Sequence, residues 1–183
     1  IDWDIVPVFS SLYSDMTVSY NIKEQDKLLQ GLTDGTYQLI ITTFPINEPD
    51  IYSVKYGEEH LYFSLPPGHA LSSAKGLHFQ DLNGETMLLF SKIGFWHEVH
   101  QRKMPSTHFL LQDEQFAFTE LIKASALPSF TSDLALKRGY QSDNRVIIPI
   151  LDEEAHAAYY CSCRMDSKKK VNSFFKRLSS SKK

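Results

Sequence analysis

A repeated alternation of strand-like and helix-like segments constrains the fold of this sequence more than any other feature. Residues 16–20 alternate apolar and polar side chains, residues 24–33 carry leucines at helical spacing, and residues 37–42 are a β-rich apolar run. Gly35 stands where the glycine that ends a helix is expected. Strands that alternate with helices predict an α/β fold with a mostly parallel sheet.

The same alternation continues to the end of the chain. Two apolar strands, at residues 61–65 and 145–150, end at prolines and bracket an inserted α/β segment, as a pair of hinge strands would. The sequence therefore predicts two interleaved α/β lobes. Further strands are predicted at residues 51–56, 86–90, 108–112 and 157–163, and further helices at residues 4–13, 94–103, 115–124, 132–138 and 167–178.

Charge is distributed unevenly along the chain. Residues 1–163 hold 11 Lys and Arg against 21 Asp and Glu, whereas residues 164–183 hold 8 against one. The acidic body offers no cationic surface to a phosphate backbone, which argues against nucleic-acid binding by this part. In the basic tail, four apolar residues from Val171 to Leu178 repeat at helical spacing. This predicts a helix that docks its apolar face on the body and exposes its lysines, with DNA contact as the weaker alternative.

The cysteines and the hydropathy pattern favour a cytoplasmic chain. Cys161 and Cys163 stand one residue apart in a predicted strand, where both thiols point to one face and cannot easily bridge each other. We expect buried, reduced thiols, as in a reducing compartment, rather than a metal pair. No apolar run approaches the roughly 18 residues of a membrane span, and residues 1–4 lack the features of a signal peptide. No membrane contact is expected.

Catalytic and cofactor-binding motifs are missing from the sequence. It contains no Gly-x-Ser-x-Gly elbow, no Gly-x-Gly-x-x-Gly and no P-loop. His97 and His100 flank Glu98, but the histidines are three residues apart rather than the four of zinc proteases, so a helix surface is the better interpretation. We expect no enzymatic activity, no metal and no cofactor.

Several short motifs follow one another in an order that points to a known family. They are Leu32-x-x-Gly35-x-x-Gln38-Leu39-Ile40-Ile41, Glu59-His60-Leu61-Tyr62-Phe63-Ser64-Leu65-Pro66-Pro67-Gly68-His69-Ala70-Leu71, Phe79-x-Asp81-Leu82-Asn83-Gly84-Glu85, Leu127 to Leu134, and Arg145 to Ile150. In this order they resemble the effector-binding domain of LysR-type transcriptional regulators. Gln38 and Ala70 stand where the family has Asp and Pro, and the family's glycine motif is absent near Ser129.

The resemblance implies the fold of type 2 periplasmic binding proteins, in which two α/β subdomains are joined by two crossover strands and enclose a ligand cleft. Lobe I would comprise residues 1–61 and 149–183, and lobe II residues 62–148. A helix-turn-helix DNA-binding domain, absent from this chain, would precede Ile1.

Polar groups at strand ends and helix starts are the candidate ligand-binding residues, because small ligands bind at such places in α/β folds. Family resemblance implies effector contacts at Gln25, Thr43, the 91–96 stretch and the segment around Ser129. Helix capping by Ser and Thr, a solvated Lys92 and a core position for Trp96 are the competing interpretations. The full set comprises Gln25, Thr42, Thr43, Ser91, Lys92, Gly94, Phe95, Trp96, Ser129, Phe130 and Thr131.

The leading hypothesis is the effector-sensing and oligomerisation domain of a LysR-type regulator. The resemblance implies that a small metabolite, often a carboxylate, binds in the cleft and controls DNA binding by the missing N-terminal domain. It also implies a homodimer or tetramer that associates through the helix near residues 5–13, whose apolar stripe permits this. The alternative is an extracytoplasmic solute-binding protein of a transporter, and the residues before Ile1 would distinguish the two.

Overall fold

The computed structural model describes residues 2–140 and 144–180, which form an α/β fold as predicted. No helix in this described part is long and apolar enough to cross a membrane. The elements, in chain order, are α1 (Asp2–Leu12), α2 (Gln25–Thr33), β1 (Ile40–Thr42), β2 (Ile51–Leu65), β3 (Thr86–Phe90), α3 (Trp96–Lys103), β4 (His108–Gln112), α4 (Gln115–Ala124), β5 (Ser129–Ser132), α5 (Asp133–Lys137), β6 (Val146–Pro149), β7 (His156–Arg164) and α6 (Asn172–Ser180).

The chain divides into two compact units. The first comprises Ile1–Glu58 and Ala158–Lys183, and the second comprises Glu59–Ala157. The chain passes between the units within β2 and again near the start of β7.

The second unit is built on a mixed sheet. β2 pairs antiparallel with β5 and β6, whereas β3 pairs parallel with β4 and β5. The predicted parallel arrangement is therefore right for β5, β3 and β4 and wrong for β2. A helical crossover makes successive strands parallel, as α3 does between β3 and β4, and β2 is not joined to its neighbours in that way. The largest fully buried apolar side chains of this unit are Phe63, Leu65, Phe79, Leu82, Met87, Met104 and Ile148.

The first unit packs its C-terminal helix α6 on strand β7 and helix α1. Three buried residues of α6 and the residue just before the helix cluster with both cysteines of β7. These residues are Val171, Phe174, Phe175 and Leu178. The Phe174 ring lies 5.2 Å from the ring of Phe9 in α1, and the Phe174 N–H donates to the Tyr13 hydroxyl. The predicted docking face of the basic tail is therefore confirmed.

Both cysteines are free and buried, as predicted. Burial raises the pKa of the Cys163 thiol to about 11 and raises that of Cys161 further. Both side chains therefore stay protonated near neutral pH and are poor nucleophiles. They serve as small apolar groups in the core of the first unit.

One strand prediction is wrong, and two others prove to be parts of one strand. Residues 16–20 form no strand, and all of them except the half-buried Val18 are exposed. Alternation alone gives a strand no pairing partner, so the pattern was misleading there. The strands predicted at residues 51–56 and 61–65 are one continuous strand, β2. Polar residues between them hide this continuity in the sequence, because the backbone stays extended while its side chains face solvent.

The helix boundaries are closer to the prediction, with one exception. α2 ends before Gly35, whose φ of 85° is the left-handed conformation expected of a glycine at this position. α6 begins at Asn172 rather than at residue 167. The backbone of residues 164–171 instead makes tight turns, in which N–H groups donate to the carbonyl three residues earlier. In this segment, the Lys168 ammonium lies 3.6 Å from the centre of the Tyr52 ring.

Candidate ligand-binding site

In the first unit, two of the three predicted site residues meet. Gln25 begins α2 and Thr43 follows β1, and the Gln25 side-chain oxygen accepts hydrogen bonds from the Thr43 hydroxyl at 3.3 Å and from its N–H at 3.5 Å. The amide NH2 of Gln25 supplies two further donors. Thr42 is buried and its hydroxyl donates to the Phe44 carbonyl at 2.7 Å, so this residue holds the turn after β1.

In the second unit, the predicted site residues fall in two stretches, 91–96 and 129–131, which lie in and after neighbouring strands of the sheet. β3 and β5 are parallel neighbours, with Leu88 opposite Ser129. Ser91 directly follows β3, and Thr131 lies near the end of β5, so these two residues stand where the carboxyl ends of the strands meet. The Ser91 N–H donates to the Gln112 carbonyl at 2.9 Å, which ties the stretch to the end of β4 as well. Strand ends of this kind are the usual place for a small ligand in α/β proteins.

The start of α3 contributes an aromatic pair. Gly94 has a φ of 60°, and its carbonyl accepts from the His97 N–H, which forms the turn into the helix. Trp96 is 5% exposed, and its indole N–H donates to a Glu59 carboxylate oxygen at 3.0 Å. The half-buried Phe95 ring lies 4.3 Å from the Trp96 ring. The burial of Trp96 favours its core alternative, and a contact with ligand stays a prediction.

Lys92 is exposed and adds positive charge near the start of α4. Glu114 caps that helix by accepting from the N–H groups of Ala117 at 2.6 Å and Phe116 at 3.0 Å. These backbone hydrogen bonds, and to a lesser degree the charge of Lys92, lower the pKa of Glu114. Lys92 thus stands close enough to a helix cap to influence its carboxylate while keeping contact with water.

Two predicted site residues of β5, Ser129 and Phe130, contact other groups of the second unit. Ser129 is fully buried, and its hydroxyl oxygen accepts from the Arg145 guanidinium at 3.5 Å. The Phe130 ring stacks on the His100 ring at 4.0 Å and packs near Phe63. Thr131 is half-buried. The half-buried Phe130 ring therefore joins an aromatic cluster with His100 and Phe63.

Sequence reasoning missed the role of Arg145. Its guanidinium donates to the carbonyls of Ser64 and Leu127, both at 2.6 Å, and of Ser125 at 3.1 Å. The residue is 6% exposed, and burial lowers the pKa of its guanidinium, which stays charged in proteins. One side chain thus joins β2 to the segment that leads into Ser129. A charged residue at the start of an apolar strand gave no signal of this role.

His100 was predicted on a helix surface, and this prediction is wrong. The residue is 1% exposed, and within the described part of the chain neither ring nitrogen has a hydrogen-bond partner. Burial lowers the pKa of His100 to about 3, so the ring is neutral at physiological pH. His97, three residues earlier, is exposed as predicted. The buried and the exposed histidine lie about one helix turn apart. Because both are histidines, residue type alone did not show which one is buried.

Comparisons with known proteins agree with the fold described above. The family described as LysR substrate binding domain matches residues 4–181. A search of curated protein sequences finds no match. Solved structures of similar fold include the reduced form of the OxyR regulatory domain from Pseudomonas aeruginosa, with a TM-score of 0.72 at 13% identity, covering 97% of this chain and 89% of that one.

Two further solved structures carry an effector or DNA. The BenM effector-binding domain with its effector benzoate has a TM-score of 0.68 at 20% identity, covering 96% of this chain and 83% of that one. Full-length CbnR complexed with its target DNA has a TM-score of 0.61 at 18% identity, covering 95% of this chain and 62% of that one. At these identities the structures show a shared fold.

Proposed function

Because this chain belongs to the LysR substrate-binding domain family, whose members are regulators rather than enzymes, we propose that it is the effector-sensing domain of a LysR-type transcriptional regulator. The family match over residues 4–181 is the observation that carries the proposal. The match favours a regulator over the alternative of a transporter's solute-binding protein. The free, buried thiols are consistent with a cytoplasmic location.

We infer that the two units are the two lobes of the regulator and that a small-molecule effector binds in the cleft that the family implies. The Gln25 and Thr43 pair would bind it from the first unit. The 91–96 stretch and Thr131 would bind it from the second. Hydroxyl, amide and main-chain N–H donors, together with Lys92, suit an anionic ligand such as a carboxylate. The solved BenM domain holds such a molecule, benzoate.

Effector binding would control DNA binding by a separate N-terminal domain. The solved CbnR complex contains target DNA and is longer than this chain, which covers 62% of it. A ligand can change such a regulator only by binding its two arrangements with different affinity. We propose that this domain is a homodimer or tetramer in the whole protein. α1 packs against α6 within the first unit, so only the remaining surface of α1 is available to a second subunit.

A thermal-shift screen against small carboxylates and related metabolites tests the proposal. We expect at least one of these compounds to raise the melting temperature of the protein in a saturable way. Thr43→Trp and Ser91→Trp should each abolish the shift, whereas Ser106→Trp, on an exposed turn away from these residues, should retain it. An identical shift in all three variants would refute the site assignment.

A further inference from the structure

Two histidines lie side by side on the surface of the second unit. His60 belongs to β2 and His156 begins β7, and their ring centroids are 4.3 Å apart with planes inclined by 24°. Both residues are exposed, and their ligand-capable nitrogen atoms include a pair within 4.8 Å. Residues 60 and 156 are distant in sequence, so only the fold brings their imidazoles together.

This arrangement matches the needs of a divalent transition-metal ion. Neutral imidazole is a preferred ligand of Zn²⁺, Ni²⁺ and Cu²⁺, whereas Ca²⁺ and Mg²⁺ prefer oxygen. With bonds of about 2.0–2.1 Å, tetrahedral Zn²⁺ places two ligand nitrogens about 3.3 Å apart. Rotation about the side-chain torsions of two exposed rings covers the difference from the observed spacing.

A carboxylate stands on the same strand. Glu58 precedes His60 by two residues in β2, and side chains two residues apart in a strand point to the same face. The Glu58 carboxylate forms an ion pair with Lys55, so a metal would compete with that lysine. Two imidazoles with one carboxylate and solvent are a common ligand set for zinc.

We propose that His60 and His156 bind a divalent transition-metal ion of the Zn²⁺ class, with Glu58 as a third ligand. The histidines lie within two residues of the two points where the chain passes between the units. A bound ion would link β2 to the start of β7 and restrain both connecting segments. The proposal is independent of effector binding and holds whether or not the domain senses a metabolite.

Calorimetric titration of Zn²⁺ into the untagged, metal-free chain tests this site. We expect one ion per chain, and more than about tenfold weaker binding in both His60→Asn and His156→Asn. Glu58→Gln should weaken binding less, because both imidazoles remain. His97→Asn, at another exposed histidine, should bind Zn²⁺ as the unmodified chain does. Unchanged affinity in the double variant His60→Asn/His156→Asn would overturn the proposal.

A second measurement needs no variant and so does not depend on their folding. Diethylpyrocarbonate modifies exposed imidazoles, and mass spectrometry locates the modified residues. Saturating Zn²⁺ should protect His60 and His156 together while His97 and His108 remain reactive. Equal protection of all four histidines, or of neither member of the pair, would contradict a specific site. Mg²⁺ at the same concentration should protect none of them.

Discussion

The interiors of the two units differ in chemistry. In the first unit, the phenylalanines of α6 pack against the thiols of β7, against Phe9 of α1 and against Tyr13, which follows α1. In the second unit, two basic side chains lie among apolar ones, the charged Arg145 and the neutral His100. Arg145 satisfies its donors with main-chain carbonyls, whereas His100 lies between aromatic rings. The first unit therefore depends mainly on hydrophobic burial, and the second depends also on hydrogen bonds and on pH.

This difference bears on function because Arg145 supports the strand that carries the predicted site. It donates to the carbonyl of Leu127 and to the hydroxyl of Ser129, at the start of β5. His100 stacks on Phe130 in the same strand. Both basic residues therefore contact β5, the strand at whose end the second unit is proposed to bind ligand.

The largest expected effect is a loss of packing in the first unit. Phe174→Ala removes a fully buried ring that contacts Phe9, so it should lower the free energy of unfolding by about 4 kcal/mol. Phe116→Ala, which removes a ring that is 72% exposed, should change it by less than about 0.5 kcal/mol. Hydrogen exchange should show faster opening in residues 158–178 of the Phe174 variant, and opening confined to the second unit would contradict the comparison.

The next effect is a loss of hydrogen bonds in the second unit. Arg145→Met fills much of the same space but removes the guanidinium that donates to the carbonyls of Ser64 and Leu127. We expect a loss of about 3 kcal/mol in unfolding free energy, measured by urea denaturation. Arg102→Met, at an exposed arginine, is the matched control. Equal stability of the two variants would show that the second unit, like the first, is held by apolar packing.

A smaller effect is a pH dependence that originates at His100. Burial in the fold lowers the pKa of His100 from 6.5 to about 3. Between these two values the histidine is protonated in the unfolded chain and neutral in the folded chain. The contribution of His100 to the free energy of unfolding is therefore fully present above pH 6.5. It falls by about 1.4 kcal/mol per pH unit as the pH is lowered toward 3.

His100→Phe should remove this contribution. Between pH 8 and pH 5 the unmodified chain should lose about 2 kcal/mol more unfolding free energy than this variant. His97→Asn should follow the unmodified chain, since His97 is exposed. Parallel pH profiles for the unmodified chain and His100→Phe would show that His100 is not held neutral in the folded state.

The sequence predicted best those elements that are determined by residues close together in the chain. β3, β4 and α4 begin and end at the predicted residues, because apolar runs and helical spacing coincide there with clear breaks. The apolar face of α6 was also visible in the sequence. The strand expected at residues 16–20 was wrong, since pairing depends on distant residues that alternation does not reveal.

The candidate site was predictable only in part. Polar residues at strand ends and helix starts indicated Gln25 and Thr43, which the fold brings into hydrogen-bond contact, and their role in ligand binding stays a prediction. The donors of Arg145 and the burial of His100 were not predictable, because both depend on which segments the fold brings behind β5. The contact between His60 and His156 joins two distant strands and has no local signature either.

Hydrogen exchange with and without a ligand from the thermal-shift screen tests most directly the proposal that both units contribute to one effector site. We expect slower exchange at residues 43–44 in the first unit and at residues 91–96 and 131–132 in the second, at the same ligand concentration. Slower exchange in one unit alone, or in neither stretch of the second unit, would contradict it.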